Sequence, residues 1–143
     1  MAKSNTKLYD FARSHLGEGG AKFRRYCGLP SNAAWCAAFV TYIFHESGYD
    51  ALFFNGRKVV YVPTAEAWCF ANLANIPPYL AMPGDIVTFD WNNNGTPDHI
   101  GIVIAVDKSK GTFVVMEGNK NESVERRTMS IDGKYIRGFI TPK

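Results

Sequence analysis

The spacing of apolar residues changes character partway along the chain. Apolar positions recur at helical intervals over residues 8–16, and over residues 33–48 they nearly encircle a helix. A Pro-Thr pair opens a third predicted helix at residues 63–73. From residue 83 onward the period falls to two, which is typical of strands. The sequence therefore predicts a helical first half and a β-rich second half.

The β-rich half contains four predicted strands, which are rich in β-branched and aromatic residues and separated by Gly, Asn and Asp turns. They cover residues 86–91, 100–106, 112–116 and 135–141. Helices followed by an antiparallel meander predict an α+β fold, with N-terminal helices packed on a C-terminal antiparallel β-sheet. No repeat or linker interrupts the pattern, so we expect residues 1–143 to form a single domain.

The nearly all-apolar helix at residues 33–48 carries Cys36 in its first turn. Ser31 or Asn32 is predicted to cap its N-terminus, and Gly48 supplies the left-handed residue that commonly ends a helix. Unpaired backbone N–H groups and the macrodipole favour negative charge at a helix start. The thiol of Cys36 is therefore predisposed toward thiolate, which is how a cysteine nucleophile is usually prepared.

A cysteine nucleophile needs a base within hydrogen-bond reach, and the chain has three histidines. His45 lies nine residues beyond Cys36 on the same predicted helix, about 13 Å along the axis, and cannot reach the thiol. His15 falls near the end of an amphipathic surface helix, where a partly exposed histidine is common. This leaves His99, which begins a predicted strand.

The strand that follows brings polar partners to His99. If the hairpin pairs Val106 with Thr112, His99 lies directly across from Asn119, whereas a slip of two residues places Glu117 opposite. In either register Glu117 and Asn119 share one face of their strand. A carboxylate or carboxamide in this place would hold the tautomer and orientation of the imidazole.

Composition narrows the classes of protein that remain. Apolar residues make up 46% and charged residues 20%, which is normal for a globular protein, and a net charge of +3 is too small to indicate nucleic-acid binding. The longest apolar run is about half a membrane span, and the N-terminus lacks the apolar core of a secretory signal. The odd count of three cysteines does not predict a disulfide framework or a zinc site. We expect a monomer without membrane contact, in which Cys27 is a spare thiol and Cys69 is buried.

The segment before His99 is rich in asparagine and resembles the first part of an EF-hand loop. Oxygen-bearing residues stand at positions one, three, five and nine, and a glycine stands at position six. The residue at position twelve is Gly101, so the bidentate glutamate of an EF-hand is absent. No cofactor is required for thiol chemistry, and the segment is either a calcium loop or a plain turn. The calcium ligands would be Asp90, Asn92, Asn94 and Asp98.

Four motifs in order resemble the CHAP (cysteine, histidine-dependent amidohydrolase/peptidase) family of the NlpC-type, papain-like cysteine peptidases. They are Ala-Trp-Cys-Ala-Ala-Phe-Val, Pro-Gly-Asp-Ile-Val-Thr-Phe, Asp-His-Ile-Gly-Ile-Val and Glu-Gly-Asn. The resemblance implies that Cys36 is the nucleophile and His99 the base. Asn119 and Glu117 match the polar positions that orient the histidine, with Asn119 favoured and Glu117 close behind. Some members bind calcium in an acidic loop before the cysteine, but residues 22–35 contain no carboxylate.

The resemblance also implies a papain-like domain that hydrolyses amide bonds in the peptide part of bacterial peptidoglycan through an acyl-thioester. The enzyme would be an endopeptidase or an N-acetylmuramoyl-L-alanine amidase, from a phage lysin or an autolysin. Without a signal peptide it would be made in the cytoplasm and reach the wall by holin-type or virion-borne delivery. Two alternatives stay open: a non-catalytic wall-binding or phage tail-structural module, and an intracellular cysteine protease of similar fold.

Overall fold

The computed structural model describes residues 6–118 and 122–142. Within them, the helical half is followed by the β-rich half, as the sequence predicts. Short 3-10 helices occur at Asp50–Leu52, Phe54–Gly56 and Pro78–Leu80. The helices are α1 (Thr6–Arg13), α2 (Ala21–Cys27), α3 (Cys36–Glu46) and α4 (Val62–Asn72); the strands are β1 (Ala74–Ile76), β2 (Ile86–Phe89), β3 (His99–Asp107), β4 (Thr112–Gly118), β5 (Val124–Ser130) and β6 (Ile136–Thr141).

The described strands form one antiparallel sheet in the order β1-β6-β2-β3-β4-β5. The main core lies between one face of this sheet and the helices. Helix α3 is central to it, because Phe39, Val40 and Ile43 are fully buried together with Ile100 and Ile102 of β3. The predicted α+β architecture, with helices packed on an antiparallel sheet, is confirmed. No helix in the described ranges is long and apolar enough to cross a membrane.

A second apolar core lies on the other face of the sheet. Phe113 on β4 and Phe139 on β6 meet edge to face, with ring centroids 5.1 Å apart. Strands β3 and β2 lie between them, about 14 Å of backbone in a flat sheet, so the two side chains reach toward each other across the twisted sheet. The protein thus has two apolar clusters, one on each face of the sheet.

Helix α3 begins later than predicted and without the predicted cap. Trp35 occupies the N-cap position, and no side-chain hydrogen bond caps the helix in the described part of the chain. The capping role predicted for Ser31 or Asn32 is therefore wrong, because those residues lie in a turn that ends before the helix starts. The predicted stop is confirmed: Gly48 has φ 91°, and the Tyr49 N–H donates to the Phe44 carbonyl at 2.9 Å.

The hairpin that carries His99 reaches its predicted register by an unpredicted route. At the turn, Val106 pairs with Phe113 rather than with Thr112. A β-bulge in the middle of β3 then shifts the register by one residue, and Ile102 pairs with Met116. The start of β3 therefore has the register predicted from the hairpin, although the predicted pairing at the turn is wrong.

His15 is buried rather than partly exposed, so that prediction is wrong. Only 6% of the residue is accessible, and its ring packs edge to face against Phe11, Phe23 and Tyr42. Its Nδ1 lies 2.8 Å from a carboxylate oxygen of Glu18. The cause is α2, which the apolar spacing did not predict and which covers the C-terminal end of α1.

Candidate active site

Cys36 is the first residue of α3 and is 7% exposed. The preceding residue, Trp35, stacks on Phe23 with ring centroids 5.4 Å apart. Two glycines leave the space for its indole: a Cβ at Gly20 or at Gly118 would lie 2.5 Å or 2.7 Å from Trp35 ring atoms. Any larger residue at Gly20, just before α2, or at Gly118, the last residue of β4, would collide with the indole. The two glycines therefore allow Trp35, and with it the start of α3, to take this position.

The loop before Cys36 is held by Arg24, which is almost fully buried. Its Nε donates to the Ala33 carbonyl at 2.7 Å, and its two terminal nitrogens donate to both carboxylate oxygens of Glu122 at 2.8 and 2.6 Å. A bidentate arginine pair fixes direction as well as distance. Arg24 thereby ties the approach to Cys36 to the chain segment that follows β4.

His99 stands at the start of β3, where it pairs with Phe89 of β2. Its Nε2–H donates to Oε1 of Glu117, and its ring shares a hydrogen bond with the Cys36 side chain. Burial lowers the pKa of His99, but hydrogen bonds and charge interactions with Cys36 and Glu117 outweigh burial and raise the pKa to about 9. The imidazole is therefore held in its protonated form near neutral pH.

Glu117 is fully buried on β4 and accepts from two cations. Besides His99, Arg127 of β5 binds both carboxylate oxygens of Glu117: Nη2 donates to Oε1 at 2.7 Å, and Nε donates to Oε2. Burial raises the pKa of Glu117, whereas the bonds and charges of His99 and Arg127 lower it below its ordinary value. The carboxylate is therefore ionised beside an imidazolium.

Trp91 completes the surroundings of His99. It stacks on Phe89 with centroids 4.7 Å apart, and its ring lies 6.4 Å from that of His99. The guanidinium carbon of Arg127 sits 4.9 Å from the Trp91 ring centroid. The contacts of Arg127 and Trp91 with this cluster were missed from the sequence, because they depend on how β5 and the loop at residues 90–98 fold back onto β3.

The structure thus brings together three of the four predicted catalytic residues: Cys36, His99 and Glu117. Asn119 lies outside the described residues, and its role as the favoured partner of His99 stays a prediction. The other two thiols are less acidic than an ordinary cysteine. Burial raises the pKa of Cys69 to about 12, with a smaller contribution from Glu66, and burial also raises the pKa of half-buried Cys27.

The four residues predicted as calcium ligands form a loop closed by its own hydrogen bonds. Asp90 accepts from the N–H groups of residues 94 and 95, and Asp98 accepts from those of residues 91 and 92, at 2.7 to 3.2 Å. Asn94 accepts the N–H of residue 96, and Asn92 is exposed. Across residues 6–118 and 122–142, no group of three or more His, Cys, Asp or Glu is arranged to hold a metal ion. These oxygens fit an Asn-rich turn, and calcium binding stays a prediction.

An α+β domain with a helix-borne thiol, a strand-borne imidazole and a buried carboxylate has the architecture of the papain-like cysteine hydrolases. A family profile described as CHAP domain matches residues 28–119, which is more than half of the chain. The chain belongs to the CHAP domain family. No curated protein sequence matches it significantly.

Solved structures share the fold at low identity. The crystal structure of Ly7917 aligns with a TM-score of 0.58 and 18% identity over 96% of this chain and 62% of that one. Ly7917 with the hydrolyzing product of MDP gives 0.60 and 21% over the same shares. A protein of Staphylococcus aureus subsp. aureus Mu50, similar to lipoprotein and of the NLP/P60 family, gives 0.56 and 11% over 96% and 40%. The chain therefore spans less than two thirds of the length of these proteins.

Proposed function

We propose that this protein is a peptidoglycan hydrolase that cleaves amide bonds in the peptide part of the bacterial cell wall. The observation that carries the proposal is the contact series from the Cys36 thiol through His99 to Glu117 in a chain of the CHAP family. A structural neighbour, Ly7917, has been crystallised with the hydrolyzing product of MDP, which supports a wall fragment as substrate.

The reaction follows from the residue types. The Cys36 thiolate attacks the scissile carbonyl carbon, and the backbone N–H of Cys36, free of an intrahelical partner at the helix start, donates to the developing oxyanion. The His99 imidazolium gives its proton to the leaving amine, and the C–N bond breaks to leave an acyl-thioester. His99, now neutral, takes a proton from water, which attacks the thioester and releases the carboxylic acid and the thiolate. Glu117 stabilises the imidazolium and holds its orientation.

The bond that is cut distinguishes two forms of this proposal. An endopeptidase would cut within stem peptides or cross-bridges and free an amino group inside the peptide part. An N-acetylmuramoyl-L-alanine amidase would separate muramic acid from L-alanine and free the amino group of L-alanine. The same thiol and imidazole serve either bond, so the site accommodates both forms, and we propose a phage lysin or an autolysin as the biological setting.

The direct test is the clearing of purified Gram-positive cell walls, followed by mass spectrometry of the released fragments. Wild type should lower the turbidity, and Cys36→Ala should be slower by at least about 10³-fold. Cys27→Ala is the matched control and should behave as wild type, because its thiol faces the Ala38 carbonyl and the thiol that acts on His99 is that of Cys36. The amino terminus that appears on the fragments identifies the bond.

Other outcomes would favour the alternatives. Walls that retain the protein without release of fragments would indicate a wall-binding or tail-structural module. Hydrolysis of casein with intact walls would indicate a general cysteine protease. Either result would overturn the proposed function.

A further inference from the structure

Arg127 has a place in the site that the reaction scheme does not use. Strand β5 pairs Val115 with Arg127 and Glu117 with Glu125, so Arg127 lies two residues along the sheet from Glu117 and on the same face. Its side chain turns toward Glu117 and binds both carboxylate oxygens, while 41% of that side chain stays exposed. A surface-edge arginine therefore reaches a fully buried carboxylate.

The guanidinium is also held from its other side. The Trp91 ring lies against it at 4.9 Å from ring centroid to guanidinium carbon, which is cation–π distance. The Trp91 ring is fixed in turn by stacking on Phe89, and the Trp91 backbone N–H donates to Oδ1 of Asp98 at 3.1 Å. The closed loop at residues 90–98 thus places an aromatic face against Arg127.

Charge explains why this arrangement matters for Glu117. The charged and titratable groups around it are His99 on β3, Arg127 and Glu125 on β5, and the Cys36 thiol on α3, which contacts His99. Among these groups the cations are His99 and Arg127, and without Arg127 the imidazolium alone faces the two carboxylates of Glu117 and Glu125. Removing one partner of a buried ion pair leaves an uncompensated charge, which the protein relieves by protonating the carboxylate.

We propose that Arg127 is a positioning residue of this site: its two hydrogen bonds keep Glu117 ionised and turned toward His99, and Trp91 holds the guanidinium in that place. The proposal rests on the proposed hydrolase function only for its turnover readout. In the described part of the chain, the side-chain hydrogen bonds of Arg127 go to Glu117, and Arg127 acts on the imidazole through that carboxylate.

The test compares Arg127→Met, Arg127→Lys and the matched control Arg126→Met. Arg126 has the same charge on the same strand, but it is exposed and pairs with Met116, so its side chain leaves the opposite face. Arg127→Met should lower kcat/KM on cell walls by about 30-fold and move the acid limb of the pH profile upward by about one pH unit. Arg127→Lys, which keeps the charge without the bidentate geometry, should recover part of both effects. Arg126→Met should change neither.

A second readout needs no wall substrate. The rate at which iodoacetamide alkylates Cys36, followed by peptide mass spectrometry across pH 5 to 10, should show the same upward move of its acid limb in Arg127→Met. In a Glu117→Gln background, which cannot ionise at this position, Arg127→Met should cause no further move in either profile. A wild type that fails to cleave walls would sink the proposed function, and the alkylation profiles would still decide the role of Arg127.

Two results would overturn the positioning role. One is a lower melting temperature in Arg127→Met with both pH profiles unchanged, which is the behaviour of a purely structural ion pair. The other is an equal upward move in the Glu117→Gln background, which would mean that Arg127 acts on Cys36 or His99 without Glu117.

Discussion

Two buried glutamates are each bound by an arginine in nearly the same way, but their other partners differ. Glu66 on α4 is bound on both oxygens by Arg137 of β6, each bond 2.8 Å long, as Glu117 is bound by Arg127. The third partner differs: the Thr88 hydroxyl donates to Glu66 at 2.7 Å, whereas the imidazole of His99 donates to Glu117.

This difference separates a structural clamp from a chemical site. A threonine hydroxyl does not ionise near neutral pH, so the Glu66 pair can only tie α4 to β2 and β6. An imidazole can gain or lose a proton near this range, and His99 also contacts a thiol. The ion pair alone therefore does not mark a functional site; the titratable third partner does.

Replacing the third partner of each glutamate, His99 or Thr88, should give the largest difference in activity. We expect His99→Ala to lower kcat/KM by about 10³-fold, because it removes both the proton donor and the base. Thr88→Val should leave kcat/KM within about threefold and cost about 1 to 3 kcal/mol of stability, because a buried acceptor loses its donor. Cell-wall turbidity assays and urea denaturation of both variants measure the contrast. Equal losses of activity would contradict the division into clamp and site.

The two glutamates should divide in the same way with smaller effects. Glu117→Gln should lower kcat/KM by about 10²-fold, because a neutral amide stabilises the imidazolium less. Glu66→Gln should keep activity within about threefold and lower the free energy of unfolding by about 2 to 4 kcal/mol, because Arg137 is left with its charge uncompensated. The same two assays apply, and an activity loss at Glu66 as large as that at Glu117 would refute the comparison.

The contrast was only partly visible in the sequence. Helical and two-residue periods predicted α3, α4, the two strands of the His99 hairpin, and the strands β2 and β6, because buried faces repeat at those periods. Strand β5 was missed because it is an edge strand whose residues from Val124 to Ser130 are mostly polar or charged. Helix α2 was missed because its seven residues are too few to establish a period. Because β5 was not predicted, Arg127 was not recognised as a residue of the site.

Within the site, local rules identified the residues that lie at element ends. A helix start selected Cys36, and a strand start selected His99. Glu117 followed from the period of its strand, although the turn pairing behind that argument was off by one and the bulge in β3 compensated for it. Arg127 and Trp91 could not be identified without the tertiary structure. The contact of Arg127 with Glu117 depends on the register between β4 and β5, and the contact of Trp91 with His99 depends on how the loop at residues 90–98 folds back.

The pH dependence of activity should follow the imidazole and not the clamp. Since the pKa of His99 is raised to about 9, the proton needed by the leaving amine is lost as pH rises through about 9. Activity should then fall about tenfold per pH unit. In Glu117→Gln the fall should begin at lower pH, because one of the interactions that raise this pKa is gone. An unchanged alkaline limb in that variant would show that Glu117 does not act on His99.

The raised pKa of His99 also makes the stability of the fold depend on pH. The folded-state pKa of His99 lies above the ordinary value of 6.5, so its contribution is complete below about 6.5 and is lost as pH rises through about 9. The unfolding free energy of wild type should decline over that window, and His99→Ala should not show this decline. Urea denaturation at pH 6.5 and pH 9.5 measures it.

Asp85 shows what happens to a buried carboxylate without an arginine. Its partners in the described ranges are neutral donors, the Met82 N–H at 2.9 Å and the Thr141 hydroxyl at 2.8 Å, and burial raises its pKa to about 6. The protonated form is favoured in the fold, so the stabilisation is present below about 3.8 and lost as pH rises through about 6.

Asp85→Asn should therefore raise the free energy of unfolding by about 1 to 3 kcal/mol at pH 7.5, with little change at pH 3.5 and no change in activity. Asp107→Asn is the matched control. Its carboxylate is exposed in the β3–β4 turn, where hydrogen bonds from Ser109 and Lys110 lower its pKa, so no gain is expected. Loss of stability in Asp85→Asn at pH 7.5 would mean that the charged form of Asp85 is the stabilising one.

The smallest effect is expected in the loop at residues 90–98, where the carboxylates of Asp90 and Asp98 accept backbone N–H groups. These donors already satisfy oxygens that a calcium ion would otherwise need, and the bidentate glutamate of an EF-hand is absent. We therefore expect chelator-treated protein to differ by less than about 1 °C in melting temperature and less than about twofold in activity when about 1 mM calcium is added. That concentration is about the dissociation constant of the weakest extracellular calcium modules. A calcium-dependent rise of several degrees that magnesium does not reproduce and that Asp90→Asn abolishes would instead establish a calcium site, and calcium would then control how Trp91 is held over Arg127.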